Sequence, residues 1–275
     1  MSTDVERRHA TTAHALPLRA EIGRQLRRRR TQVAFGLVLA LPLLLVGAFA
    51  LGSSSNGGSG GAPGFVDLAQ TGGANLAVFA LFASVGFLLV VLVALFTGDP
   101  VPSEASWSTL RYLLAAPVPR GRLLLSKLVV GLGTSLVALV LLPAWSVLVG
   151  GVAYGFGPFT GPSGDTLDGH TFALRMLVVV GAIAGNLLFV AALAFALGVF
   201  TDAPLAAVGG AVMVTIVSLI LDSINALGSL REGLPTHYQF AWADALALTP
   251  QYGDVVRGSL WSVAYAIVLL SLAWW

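Results

Sequence analysis

Residues 172–200 read FALRMLVVVGAIAGNLLFVAALAFALGVF, 29 residues whose only charge is Arg175, near the start. Crossing a hydrocarbon core about 30 Å thick takes roughly 20 apolar residues in helical form, and this stretch exceeds that. Four more segments read the same way, Val33–Gly52, Leu76–Thr97, Leu128–Val152 and Leu205–Leu221, and a sixth, Leu260–Trp275, runs to the last residue. None of the six carries a charge near its middle, where one Arg or Asp would cost about 2.5–3.5 kcal/mol. In lipid every backbone amide must be paired internally, and these runs are too long and too evenly apolar for barrel strands. The fold class is therefore an all-α polytopic membrane protein with six transmembrane helices.

Composition agrees. Of 275 residues, 56% are hydrophobic and 10% charged, against about 25% charged in soluble domains; mean hydropathy is +0.86. This excludes a soluble enzyme or a free nucleic-acid binder. The absence of cysteine excludes disulfides, thiol catalysis and thiolate metal sites. The four histidines, His9, His14, His170 and His237, form no H-E-x-x-H motif and no pair at helical ligand spacing. The only lysine, Lys127, lies in Leu125-Ser126-Lys127-Leu128, without the glycine loop of a phosphate-binding motif. No catalytic or metal site is expected, and work done by this chain must draw on a partner or an ion gradient. Gradient-driven carriers place ionisable residues within the membrane; here Arg175 and Asp222 sit at span ends, and no inverted repeat is visible. Asn186, deep in the fourth span, reads as interhelical glue of about 0.6 kcal/mol in preference to a substrate contact, and Gly181 and Gly185 on the same helix form a small-xxx-small packing face.

Lysine and arginine set the orientation. Eight arginines precede the first span, and Arg111, Arg120, Arg122 and Lys127 lie between spans two and three, against only Arg175, Arg231 and Arg257 on the other side. Both termini are thus expected in the cytoplasm. No basic residue follows Trp275, which leaves two readings: the chain continues, or the last span closes on an aromatic belt. Residues 1–15 read as a disordered cytoplasmic tail. In residues 16–31, Leu18, Ile22 and Leu26 recur at i, i+4, i+8 among arginines that include Arg27 and Arg28, which predicts an amphipathic helix in the headgroup layer. Ala48-Phe49-Ala50 imitates a signal cleavage site, but the apolar run of about 20 residues exceeds the 7–15 of a signal, so the span is read as uncleaved. The loop Gly52–Asn75 contains a Gly/Ser-rich stretch expected to be flexible. Gly57–Gly61 matches G-x-S-x-G by chance, since no strand precedes it and no helix follows.

The one long cytoplasmic loop, Gly98–Lys127, reads GDPVPSEASWSTLRYLLAAPVPRGRLLLSK. Ser103 is expected as an N-cap with Glu104 in the first turn. Trp107, Leu110 and Leu114 then share one face, Arg111 suits the helix end, and Pro117 and Pro119 stop it. The basic run Arg120, Arg122 and Lys127 is expected to pin the start of the third span at the inner interface. On physical grounds, a helix lying on lipid and a helix docked on a partner fit this pattern equally.

The loop resembles that of type-2 permeases of ATP-binding-cassette (ABC) exporters. The residues that carry the likeness are Gly98-Asp99, Glu104, Thr109-Leu110-Arg111, Leu113-Leu114, Pro117-Val118, Arg120 and Lys127; Ser108 and Pro102 depart from the pattern. The six-span layout matches too, including the long outer segment 228–258 with Tyr238, Phe240, Trp242 and Tyr252, aromatics that suit a membrane interface. The resemblance implies one permease domain over 16–275, in the inner (plasma) membrane, with a cytoplasmic coupling helix between helices two and three. It implies a second permease copy, identical or related, and two copies of a separately encoded ATPase subunit that holds ATP and Mg; this chain itself holds no cofactor. Glu104, Trp107, Thr109, Leu110, Arg111, Leu114, Pro117 and Arg120 would meet that ATPase, with Arg120 facing either the ATPase or lipid phosphate. The outer segment would form short re-entrant helices, and the cargo would be an amphipathic drug-, peptide- or lipid-like molecule. The alternative reading is a non-transporting six-span scaffold or assembly factor.

Overall fold

A computed structural model describes residues 18–52, 64–106 and 120–275, and it is mostly helical. In chain order the helices are α1 (Leu18–Arg27), α2 (Arg29–Gly52), α3 (Phe65–Ala69), α4 (Gly73–Val85), α5 (Leu88–Gly98), α6 (Pro100–Ser106), α7 (Arg120–Tyr154), α8 (Gly169–Phe200), α9 (Pro204–Asp222) and α10 (Gly253–Trp274). A two-stranded antiparallel hairpin, β1 (Phe159–Thr160) with β2 (Thr166–Leu167), follows α7. Two 3-10 segments, Asn225–Gly233 and Ala241–Leu246, separate α9 from α10.

Among the described residues, α2, α7, α8, α9 and α10 are each long and apolar enough to cross a bilayer; α4 and α5 make a sixth crossing if the bent pair is one span. The sequence reading gives Leu76–Thr97 as one span, whereas α4 and α5 meet there at an angle of 61°. The cause is local. The Ser84 hydroxyl donates back to the carbonyls of Ala80 and Leu81, a bond that bends helices, and Gly86 follows at once. Phe87 takes φ −140° and ψ −61°, outside helical geometry.

The core runs along α8, the most buried of the five unbroken spans, and along α4 and α5. Helix α8 packs against α5, α9, α10 and the second 3-10 segment, while α7 packs against α2, α4 and α5. Val38, Val85, Leu89, Phe96, Leu142, Val179, Ile183, Phe195 and Trp242 are almost wholly buried there. Lipid tails are as apolar as leucine, so packing rather than water exclusion holds such helices together, and small residues set how closely they approach. A Cβ on Gly198 would lie 2.6 Å from the Gly98 carbonyl oxygen, and one on Gly131 2.7 Å from that of Phe96. These two glycines press α8 and α7 onto the end of α5.

The packing face expected from Gly181 and Gly185 is used only in part. A Cβ on Gly185 would meet the Ser259 hydroxyl at 2.8 Å, but one on Gly181 would meet nothing within 4 Å. The Asn186 side chain ties α8 to the segment before α10 and not to another helix: its Nδ2 donates to the Tyr238 carbonyl at 3.1 Å, while its backbone carbonyl accepts from Ser262 Oγ of α10. The segment between α9 and α10 is tied down further by Ser218 with Thr236, by Asp222 with His237 at 2.5 Å, and by Tyr265 to the Gly233 carbonyl. Its aromatics divide. Phe240 and Tyr252 are exposed, but Tyr238 and Trp242 are buried, Trp242 completely, with the tilted ring of Phe82 of α4 against it at 4.4 Å. Asp168 caps α8, and hydrogen bonds from Thr171 hold its carboxyl below the usual carboxylate range.

Gly198→Ala is expected to destabilise the folded chain by about 1–3 kcal/mol, the cost of overpacking, whereas Gly181→Ala stays within about 0.5 kcal/mol. Thermal melts of the two variants in lipid nanodiscs check the contrast.

Candidate functional site

In α1, Leu18, Ile22 and Leu26 are each close to half exposed, while Glu21 and Gln25, four apart on another face, are 4% exposed. The helix thus turns its apolar stripe outward and its polar stripe into the protein. Buried carboxylates need opposite charge and hydrogen bonds, and the first turns of α7 supply the charge. Lys127, the only lysine of the chain, is 2% exposed. Its Nζ lies 2.5 Å from Glu104 Oε1 and 3.2 Å from Glu21 Oε1. Arg24 completes the group, reaching Glu21 at 3.2 Å and Glu104 at 3.1 Å.

A second cluster lies beside it. Asp99, at the junction of α5 and α6, accepts from Arg28 at 2.9 Å, from Arg30, and from Ser103 Oγ at 3.0 Å. Gln25 Nε2 donates to the Phe96 carbonyl at 3.1 Å, one of the carbonyls a helix end leaves open. The two clusters join three regions that are distant in sequence: α1 with the start of α2, the α5–α6 junction with α6, and α7.

Two expectations about this region change. Ser103 is not the N-cap of the loop helix. That helix begins at Pro100, because proline lacks the amide that the first helical position leaves unused, and Asp99 keeps αR geometry after Gly98, so α6 nearly continues α5. Lys127, expected with the basic run at the inner interface, is not an exposed residue there but is buried. Helix α7 starts at Arg120, seven residues before it, so Lys127 points inward from the second turn.

The remaining site residues divide as follows. Glu104 is buried in the cluster and faces Lys127 and Arg24. Arg28 is engaged with Asp99, and Arg27 is exposed. Trp107, Thr109, Leu110, Arg111, Leu114 and Pro117 lie outside the described residues; Arg120 opens α7. Glu21 and Gln25 were not legible as site residues. The one signal was that a single acid stands among five arginines between residues 19 and 29.

Chemically the arrangement contains no nucleophile with a base. Among the described residues no group of three or more His, Asp or Glu could hold a metal. What it can do is mechanical. The loop 107–119 leaves from α6 and returns into α7, and Glu104–Lys127 clips those two roots directly together, with α1 bonded to both.

Comparison with known proteins bears on this geometry. A family model described as "ABC-2 family transporter protein" matches residues 19–221, from α1 through α9 and across both ion-pair clusters. No curated protein and no solved structure matches the chain.

Removing one partner of a buried ion pair leaves the other charge uncompensated, at about 3–5 kcal/mol. Lys127→Met is therefore expected to destabilise the chain by that order and to expose α1 to protease. Adding Glu21→Gln and Glu104→Gln to it should restore much of the loss. Thermal melting and limited proteolysis across the single and combined variants measure the coupling.

Proposed function

The chain belongs to the ABC-2 transporter family, a multi-pass membrane permease of an ABC exporter, and we propose that a separately encoded ATPase subunit drives it through the loop 98–127. The observation that carries this reading is the Glu104–Lys127 clip. A force applied to the loop enters the membrane domain through its two roots, and because the roots are paired to each other and to α1, they move as one body.

In this reading Trp107, Leu110 and Leu114 anchor in a groove of the ATPase, since aromatic and apolar anchors dominate small interfaces. Thr109, Arg111, Pro117 and Arg120 set the register around them. Glu104 has the inward task of fastening the loop to α7. Two permease copies, identical or related, pair in the inner membrane with both termini cytoplasmic, and each carries one ATPase subunit that binds ATP and Mg. Closure of the ATPase pair pushes the loop helix, and α5 and α7 tilt with it. The outward stripe Leu18, Ile22 and Leu26 lies in the headgroup layer, with Arg27 toward lipid phosphate. The cargo is amphipathic, because the spans offer apolar, small-residue surfaces and no charged channel.

Leu110→Asp places a charge at the centre of the proposed interface and is expected to abolish co-purification of the ATPase subunit while leaving membrane insertion intact. Co-expression with the neighbouring genes, followed by purification in mild detergent and an ATP hydrolysis assay, reads both. A parent chain that purifies without an ATPase partner, or a variant that retains it unchanged, overturns the docking assignment and favours a scaffold.

A further inference from the structure

At the end of the bundle away from Lys127, the face of α4 that carries Asn75, Val78, Phe79 and Phe82 at i, i+3, i+4, i+7 lines a cavity of about 300 Å³. The size lies at the lower limit for small-molecule sites, which are mostly apolar with a few placed polar groups. Its wall is aromatic. Phe65 of α3 packs on Phe79 and Phe82, each at 5.1 Å between ring centres, and Phe82 leans on the buried Trp242. Its roof is the β1–β2 hairpin, held by a two-way bond: Asn75 Nδ2 donates to the Thr160 carbonyl at 2.7 Å, and Asn75 Oδ1 accepts from the Thr160 amide at 3.0 Å. Phe159 of that hairpin stacks on Phe172 of α8. The cavity is thus built from four separate parts of the chain that are bonded to one another.

Its charge is one-sided. Asp165 and Asp244 are both among the lining residues, and the described lining includes no Lys, Arg or His. Arg175 approaches from α8, but it donates to the carbonyls of Ala247 and Leu248 and so fixes the rim segment in place. Aromatic faces carry negative electrostatic potential and attract cations by about 0.5–2 kcal/mol. The cavity follows α4 for seven residues from Asn75 to Phe82, about 10 Å along the helix axis, which is room for one ring system or a short hydrocarbon segment and too little for a whole lipid.

The geometry points to a binding site for a lipophilic organic cation, with its apolar body among Phe65, Phe79, Phe82 and Phe159 and its charge toward Asp165 and Asp244. As a cargo site it rests on the exporter reading above; as a binding site it does not. The experiment uses the full chain in nanodiscs of zwitterionic lipid, without ATPase, so its failure leaves the coupling assignment standing and the reverse also holds. Radiolabelled phenyltrimethylammonium, a one-ring cation, is titrated against benzenesulfonate, a one-ring anion of similar size, with empty nanodiscs subtracted. Saturable binding of the cation, tighter than that of the sulfonate, is expected. Asp165→Asn with Asp244→Asn should weaken it about tenfold, and Phe65→Ser, at a half-exposed ring, should weaken it without disturbing the fold. No saturable cation binding, a sulfonate bound equally or better, or an affinity unchanged in both variants would overturn the site.

Discussion

A lysine ammonium cannot be buried at the mouth of a helix bundle by itself, because removal from water costs several kcal/mol that only well-placed counter-charge offsets. Lys127 is 2% exposed, and the arrangement around it follows from that constraint. Two carboxylates must reach it, so α1 and α6 must both come to α7. Glu21 can arrive only if α1 turns its polar face inward, which leaves Leu18, Ile22 and Leu26 outward. Glu104 can arrive only if α6 follows α5 almost without a break, which Asp99 and Pro100 permit. The position of the loop's two roots, α6 and the start of α7, is thus set by charge before any partner is considered.

The same corner depends on close backbone approach. Gly98 and Gly198 bring α5 against α8, and Gly131 brings α7 against the last turn of α5. Steric contact and charge pairing therefore converge on one place, and a displacement of the loop roots is passed to α5, α7 and α8 together. In the proposed mechanism this is the physical content of coupling: a rigid joint, made of pairs costly to separate, between the loop roots and helices that cross the membrane.

The two ends of the bundle are fastened by different chemistry. At the Lys127 end the ties are ionic and link helices. At the opposite end they are aromatic contacts and neutral hydrogen bonds, such as Asn186 to Tyr238, Ser218 to Thr236 and Asn75 to Thr160, with the Asp222–His237 pair among them. That end also holds the break between α4 and α5 and the short irregular segments before α10. The joint proposed to move as a unit is paired by charge, and the wall proposed to admit a ligand is lined by rings.

The sequence by itself determined the fold class and the run of membrane helices, because apolar length is a local property that needs no knowledge of neighbours. It also determined the family likeness, through the residues from Gly98 to Lys127 that resemble the family and lie within the family match. Only the tertiary structure decided the rest. Glu21 and Gln25 look like ordinary polar residues of an arginine-rich helix until α7 and α5 bring Lys127 and the Phe96 carbonyl to them. Gly185 packs and Gly181 does not, since only the former lies opposite Ser259 of α10. Trp242 reads as an interfacial aromatic and is buried, with Phe82 of α4 against it. In each case the deciding partner is far away in sequence, and pattern along one helix carries no information about which distant face it meets.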